Sequence, residues 1–460
     1  MTNGKQATRS SQSVQASGSA RNRRQEFMRR ITGGAAIFPA ATTSIRNGDV
    51  EHEYRQDTDF YYLTDFEEPN ALAVLIPGDA KHEFVLFVQP REREREVWTG
   101  WRAGEEGAVA DFGADTAYSI TKLDEHIAPL IANADRIYYR FGADPNIDLR
   151  VMGLMRSFQR ERQRNGKGPK AIIDPAEILH EMRLIKEPGE LENLRRAARI
   201  TEDAHIAAAG ALKPGMFEYE IEATLRYVFL KGGSHRSGYP PIVASGRNAT
   251  VLHYRANSRR IEPGDLILID AGAEYAYYTA DVTRTLPASG RFSAAQKDVY
   301  QIVLDAQLSA IDAVKPGASF MEPHDRAVRI LTEGMVRLGL LIGSIDELIK
   351  EEKFKQFYMH RTSHWLGMDV HDAGPYKVAD EWRRLEPGMV LTIEPGLYIA
   401  EDSEGVPDKY RGIGVRIEDD VLVTDSSCEV LSARVPKAIE DIESSMATGN
   451  ADSQSSGAWD

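Results

Sequence analysis

The stretch EPGDLILIDAG (262–272) returns as EPGMVLTIEPG (386–396), and this repeat constrains the fold more than any other feature of the 460-residue chain. In each copy Pro-Gly makes a turn, an apolar run follows, and the run closes on an acid, Asp270 or Glu394, two positions before a glycine. An apolar run of this length bounded by turn residues reads as a strand covered on both faces. A carboxylate ending such a strand is costly to bury unless it is paired or holds a metal. Each copy also has a second acid downstream, Asp281 in YYTADVTRTL and Glu418 in IGVRIEDDVLV. With a turn centred on Glu274 to Tyr277, antiparallel pairing sets Asp270 opposite Asp281, their Cβ atoms about 5 Å apart. In the second copy, strand alternation puts Arg416 and Glu418 on one face and Val415, Ile417 and Asp419 on the other.

Like charges opposed in a sheet repel. Salt bridges to Arg284 and Arg416 would relieve either pair alone. Two such pairs, ending the two copies of one motif, point to a shared divalent metal site, because a cation converts the repulsion into ligation. The segment MHRTSHWLGMDVHD supplies the remaining chemistry, with His360, His364 and His371 inside twelve residues. His360 and His364 have the spacing of a helical zinc pair, but the following glycine and the alternation favour turn and strand, and no glutamate follows His360. His253, in NATVLHYR ahead of the first acid strand, is a fourth candidate.

Two helical segments, EPGELENLRRAARITEDAHIAAAGAL and FEYEIEATLRYVFLKGG, precede the first copy; two more, over roughly 293–315 and 321–340, precede the second. The pattern predicts an internally duplicated α+β domain over 173–440. Residues 25–172 read as a mixed α/β domain, with ALAVLIPG and EFVLFVQP as strands and TAYSITKLDEHIAPLIANA as a helix. The Gly-, Pro- and Lys-rich RNGKGPKAIID marks the boundary. REREREVW alternates sign at every step, which on a strand would segregate Arg from Glu, as at a solvated edge or subunit contact. Residues 1–24 hold five basic residues and no acid, and read as a disordered tail, as do 441–460.

A net charge of −14 argues against nucleic acid or an anionic membrane as partner. No window approaches the ~18 apolar residues of a membrane helix. The only cysteine, Cys428, excludes an intramolecular disulfide and fits a reducing, cytoplasmic location, where it is expected to be a buried thiol.

Asp270, Asp281, His364, Glu394 and Glu418, in this order and spacing, resemble the five metal ligands of the pita-bread metallopeptidases. RQDTDFYYLTDFEEPNA resembles the amino-terminal domain of the aminopeptidase P branch, and HEMRLIKEPGELENLRRA, VLHYR, DAGAEY, ADVTRT, SHWLGMDVHD, EPGLYI and YRGIGVRIEDD resemble its catalytic domain. The resemblance spans about 25–440 and implies a C-terminal pita-bread catalytic domain behind an N-terminal α/β domain that builds a homodimer or homotetramer. It implies two divalent ions, for which four carboxylates and one imidazole favour Mn²⁺, with Co²⁺ or Zn²⁺ also able to occupy the site. Asp270 and Glu418 would bridge the ions, Asp281 would complete one, and His364 and Glu394 the other, with an activated water between them as nucleophile. Glu394 would also take the water's proton, His253 and His371 would serve the tetrahedral intermediate, and His360 and Arg416 would line the side that receives proline. The implied activity is release of the first residue from peptides with proline second. A prolidase confined to dipeptides, or a non-catalytic binding module, are the alternatives. The family usually has His-Gly where this chain has His360-Arg361, which puts an arginine on the substrate's approach. Trp98, in VWTGWRAG, is the residue such a domain would bring toward a neighbouring subunit's site, or pack in its own.

Overall fold

Strand and helix alternate through the chain as the periodicity predicts, and the computed structural model describes residues 11–455, with side chains over 20–447. The chain divides into two compact units, Met1–Glu181 and Met182–Asp460. The division falls a little beyond the boundary expected at 172, because Ala171–Ile173 is itself a strand of the first unit's sheet.

In the first unit the six strands are ordered Thr116–Ser119, Phe84–Val88, Leu72–Leu75, Gly34–Pro39, Arg136–Tyr138 and Ala171–Ile173. Parallel pairs flank an antiparallel centre, and Ile37, Leu72, Val74, Val85, Phe87 and Ile137 share the core. TAYSITKLDEHIAPLIANA is α-helical only from Leu123 to Ile131, after a 3-10 turn Ile120–Lys122, since Thr116–Ser119 is the edge strand. Of the segment 1–24 expected to be a disordered tail, 1–10 lie outside the described residues, and the part from Ser11 is corrected. A helix runs Ser11–Arg30, Ala20 and Phe27 are buried, and Arg23 Nε and Arg24 Nη1 donate to the carbonyls of Tyr62 and Leu63 at 2.7 Å each. Arg24 also lies 3.9 Å over the Phe84 ring. REREREVW lies within the exposed helix Arg93–Thr99 and its lead-in rather than on a strand. Sign alternation places opposite charges three apart, and Glu92 pairs with Arg95 at 2.7 Å. Trp98 and Trp101 are 88% and 85% exposed, so Trp98 does not pack in its own domain.

The second unit repeats one plan. Helices Pro188–Ala211 and Glu218–Lys231 precede a sheet of Ile242–Ser245, Leu266–Asp270 and Thr283–Pro287; helices Ala294–Ala313 and Glu322–Leu338 precede a sheet of Val390–Ile393, Asp419–Val423 and Cys428–Val430. Leu266–Asp270 and Val390–Ile393, the two copies of the repeat, are buried along their whole length. Helix and sheet faces close over one core that includes Ile200, Leu225, Ile267, Ile269, Val303, Leu331, Leu391 and Val421. Of the C-terminal residues expected to be disordered, 441–455 instead belong to the helix Ile439–Ser455, whose Ile442 and Met446 join that core, and 456–460 lie outside the described residues. Cys428 is only half-buried, its Sγ 3.5 Å from the Ile311 carbonyl.

Candidate active site

The two hairpins that follow the repeat differ in register. In the first, Ala276 and Tyr277 form the turn, both with positive φ (48° and 70°), and Tyr275 pairs with Tyr278. This is one residue later than the sequence placed the turn, so Asp270 faces Thr283 and Asp281 lies two positions away. A Cβ on Gly272 would stand 1.6 Å from the Ala280 carbonyl oxygen, so the glycine after the first acid is what lets the hairpin fold back this closely. In the second, Ile393 pairs with Asp419 and Gly396 with Arg416, a continuous register that sets Glu394 opposite Glu418. The two halves are joined here: the Glu418 amide donates to the Thr283 carbonyl at 3.1 Å, and Thr283 Oγ1 donates to Glu418 Oε2 at 2.6 Å.

Asp270, Asp281, His364, Glu394 and Glu418 line one pocket of about 500 Å³, together with His253, His360, His371 and Arg416. His364 Nε2 lies 3.4 Å from Asp281 Oδ2 and 3.5 Å from Glu394 Oε1. Its Nδ1 is 3.0 Å from the Trp365 carbonyl, which can only accept, so Nδ1 carries the proton and Nε2 faces the acids. His360 is clipped at both nitrogens, to the Arg361 carbonyl and to Tyr398 Oη, each at 2.8 Å. The His371 ring stands edge-on to His364, centroids 4.5 Å apart. Arg416 donates to Asp270 Oδ2 at 2.5 Å, and to Thr283 Oγ1 and Tyr398 Oη at 3.1 Å each. Its ion-pair partner is thus Asp270 across the two halves rather than its neighbour Glu418. Arg284 is committed elsewhere, to Asp419 at 2.7 Å.

Burial, reinforced by the neighbouring carboxylates, raises Asp270, Glu394 and Glu418 above the ordinary carboxylate range, although Arg416 opposes the shift. Burial alone would lower His364, but its hydrogen bond to Asp281 and the fields of Glu394 and Asp281 outweigh it and bring it to about 9. Burial and the Arg416 charge press His360 down to about 3, so it is neutral at physiological pH. Burial and the His364 charge also lower His371. Four acids held this close, with one guanidinium to balance them, form a hard oxygen-rich set that divalent ions would neutralise. Ligand atoms of Asp281, His364 and Glu418 all lie within 4.8 Å of one another, which fits a common ion and departs from the expectation that Asp281 and His364 serve different ions.

Two supports were not visible in the sequence. Tyr239 Oη lies 2.6 Å from Asp270 Oδ1 and 2.5 Å from Asp281 Oδ1. The buried Asp420 accepts the Asp281 amide on both carboxylate oxygens at 3.1 Å. Below the histidine loop, Arg183 reaches Asp369 and Asp372 at 2.6 Å each, and Lys186 reaches Asp372 at 3.0 Å. Tyr239 precedes Pro240 in a stretch with no motif spacing, whereas Arg183 and Lys186 stand in HEMRLIKEPGE, where paired cations three apart could have been read as a clamp.

The model of metallopeptidase family M24 matches residues 192–425, and that of the aminopeptidase P N-terminal domain matches 20–138. The Xaa-Pro aminopeptidase of Escherichia coli K12 is 43% identical over 432 residues, 92% of this chain and 98% of that protein. Human Xaa-Pro aminopeptidase 3 is 34% identical over 416 residues, 90% of this chain and 80% of that protein. Among solved structures, Pseudomonas aeruginosa aminopeptidase PepP superposes with a TM-score of 0.92 at 50% identity, over 95% of this chain and 99% of that one. Zinc-substituted E. coli aminopeptidase P in complex with product gives a TM-score of 0.91 at 42% identity, over 94% and 98%.

Proposed function

The chain belongs to metallopeptidase family M24 and carries an aminopeptidase P N-terminal domain, and from that premise we propose that it releases the first residue of peptides whose second residue is proline. The observation that carries this reading is the convergence of Asp270, Asp281, His364, Glu394 and Glu418 on one pocket, with the histidines of the 360–371 segment around them. Two divalent ions held by those five residues would supply an activated water at neutral pH; the oxygen-rich donor set favours Mn²⁺.

The chain's own groups divide the remaining work. The carboxylates draw the substrate's free ammonium, which selects for exopeptidase action. Glu394, which lines the pocket beside His364, is the group that would accept the water's proton at Oε. His253 and His371 stand at the pocket as donors to the oxygen of the tetrahedral intermediate. His360 and Arg416, each fixed by Tyr398 Oη, line the side for proline. An Xaa-Pro bond lacks the amide N–H that ordinary peptidases bind, and the preference for it rests on the likeness to the Xaa-Pro aminopeptidases. Exposed Val97, Trp98 and Trp101 support assembly into a dimer or tetramer through the first unit, and a single cysteine supports a cytoplasmic location. Sizing of the purified protein tests the assembly.

The deciding experiment incubates Mn²⁺-loaded protein with Xaa-Pro and with Xaa-Pro-Yaa-Zaa and follows free Xaa. Release from the tetrapeptide is expected; cleavage of the dipeptide alone would make the chain a prolidase instead.

A further inference from the structure

Arg361 stands beside His360 in the chain and on the wall of the same pocket. Its side chain is exposed, and its Cζ lies 5.3 Å from the centroid of the Trp382 ring. Lys377 Nζ lies 4.6 Å from the same centroid. Trp382 is firmly seated: its ring stacks on Phe320, and its strand Glu381–Trp382 pairs with Lys377–Val378 in a hairpin whose turn residues, Ala379 and Asp380, both have positive φ. Two cations are therefore gathered on one half-buried indole. Among the described residues neither has a carboxylate partner, although Asp380 and Glu381 belong to the same hairpin. Cation–π contact holds each side chain without using its N–H donors. Two like charges sharing one ring repel, and the arrangement becomes favourable when an anion joins it.

The direction of the substrate locates that anion. This step rests on the aminopeptidase reading above: the peptide's ammonium goes to the carboxylates, and proline goes to the His360 side. Arg361 follows His360 on the pocket wall, so on that reading its side chain is the one next in line to meet the residue after proline. We propose that Arg361 and Lys377, held on Trp382, form an anion-binding rim that reads a carboxylate presented by the third residue of the substrate. In a tripeptide this is the chain's C-terminus; in a longer peptide it is an acidic side chain. The rim is a specificity device and takes no part in bond cleavage.

The test measures kcat and KM of the Mn²⁺-loaded full-length enzyme on Ala-Pro-Gly, Ala-Pro-Gly-amide and Ala-Pro-Glu-amide, for wild type, Arg361→Gln and Arg361→Gln/Lys377→Gln. Wild type is expected to favour the free acid over its amide by up to about fivefold in kcat/KM, through KM, as for an ion pair at a protein surface that adds uniform binding. The ratio should fall toward one in Arg361→Gln, fall further in the double variant, and shrink with added salt. Preference for Ala-Pro-Glu-amide over Ala-Pro-Gly-amide in wild type alone shows that a side-chain carboxylate is read as well as the terminus. A wild type that treats all three alike, or an unchanged ratio in both variants, overturns the rim. A wild type that cleaves none of the three overturns the aminopeptidase reading, and the rim falls with it.

Discussion

The hydroxyl of Tyr239 lies between the first two acids of the site, 2.6 Å from Asp270 Oδ1 and 2.5 Å from Asp281 Oδ1. A hydroxyl has one proton, so it donates to one carboxylate at a time and stands by the other as a neighbour. Burial and the adjacent carboxylates raise the Tyr239 phenol, so it stays protonated and able to donate. Its effect is to hold two like-charged groups at a spacing that a cation can use.

Tyr239→Phe removes that donor and little volume. The expected result is a fall of about 10- to 100-fold in Mn²⁺ affinity, the usual range when a group orienting metal ligands is lost. Isothermal titration of the metal-free protein measures it, with thermal unfolding as the control for folding. Unchanged affinity would mean that Arg416 and the Asp281 amide contact suffice to set the two acids.

Asp281→Asn keeps the shape of a proposed ligand and removes its charge. Turnover should fall by about 10³-fold or more, since a metal centre supplies several kcal/mol of the catalysis. Bound metal, read by elemental analysis after loading and desalting, should drop below two ions per chain. The fold should be undisturbed, because the change relieves crowding among buried acids. Near-wild-type activity would remove Asp281 from the site.

The buried cluster of Arg183, Lys186 and Asp372 fixes the segment that presents His371, the residue just before Asp372. All three side chains are almost wholly enclosed, and the two cations hold Asp372 below the usual carboxylate range against its burial. Removing one member of a buried set leaves charge uncompensated, so Lys186→Met should destabilise the enzyme by about 3 kcal/mol. That corresponds to roughly 6–12 °C in Tm. The clamp also predicts a lower kcat at temperatures where the variant is fully folded, because His371 loses its support. A stability loss with unchanged kcat would restrict the cluster to a structural part.

The parts of this molecule that the sequence exposes are those that repeat or that obey a period. The two acid strands, their four preceding helices and the pairing of Glu394 with Glu418 were legible because apolar runs, turn residues and alternation all agree there. The first hairpin was read two residues out of register because its turn is made by Ala276 and Tyr277, residues that seldom adopt positive φ and give no local signal. The order of the Arg-rich N-terminus is not legible in its own sequence because arginine burial depends on partners far along the chain, here the Tyr62 and Leu63 carbonyls and the Phe84 ring. Tyr239 is silent for the same reason: a lone tyrosine becomes informative only when the strand ending in Asp270 and the segment carrying Asp281 bring their acids to it.

His205 gives the sharpest pH test. It lies on the helix Pro188–Ala211, its Nε2 donates to the Ala271 carbonyl at 3.0 Å, directly after Asp270, and its Nδ1 is buried with no hydrogen-bond partner among the described residues. Burial, against a smaller opposing effect of the Ala271 hydrogen bond, lowers it from an ordinary 6.5 to about 4. The unfolded chain therefore binds a proton below about 6.5 that the folded chain refuses until about 4. Stability from this residue is fully present above 6.5 and is lost as pH falls through that window, on the order of 3 kcal/mol in all. Burial likewise lowers His324 and His360, which act in the same direction, but they are shared by wild type and a His205→Gln variant and cancel in the difference. Urea unfolding of metal-free protein between pH 7 and 4 should show the wild type losing stability more steeply, by up to one proton's worth of slope, whatever the variant's stability at pH 7. Parallel profiles would mean that His205 is protonated in the fold, with Nδ1 satisfied by water.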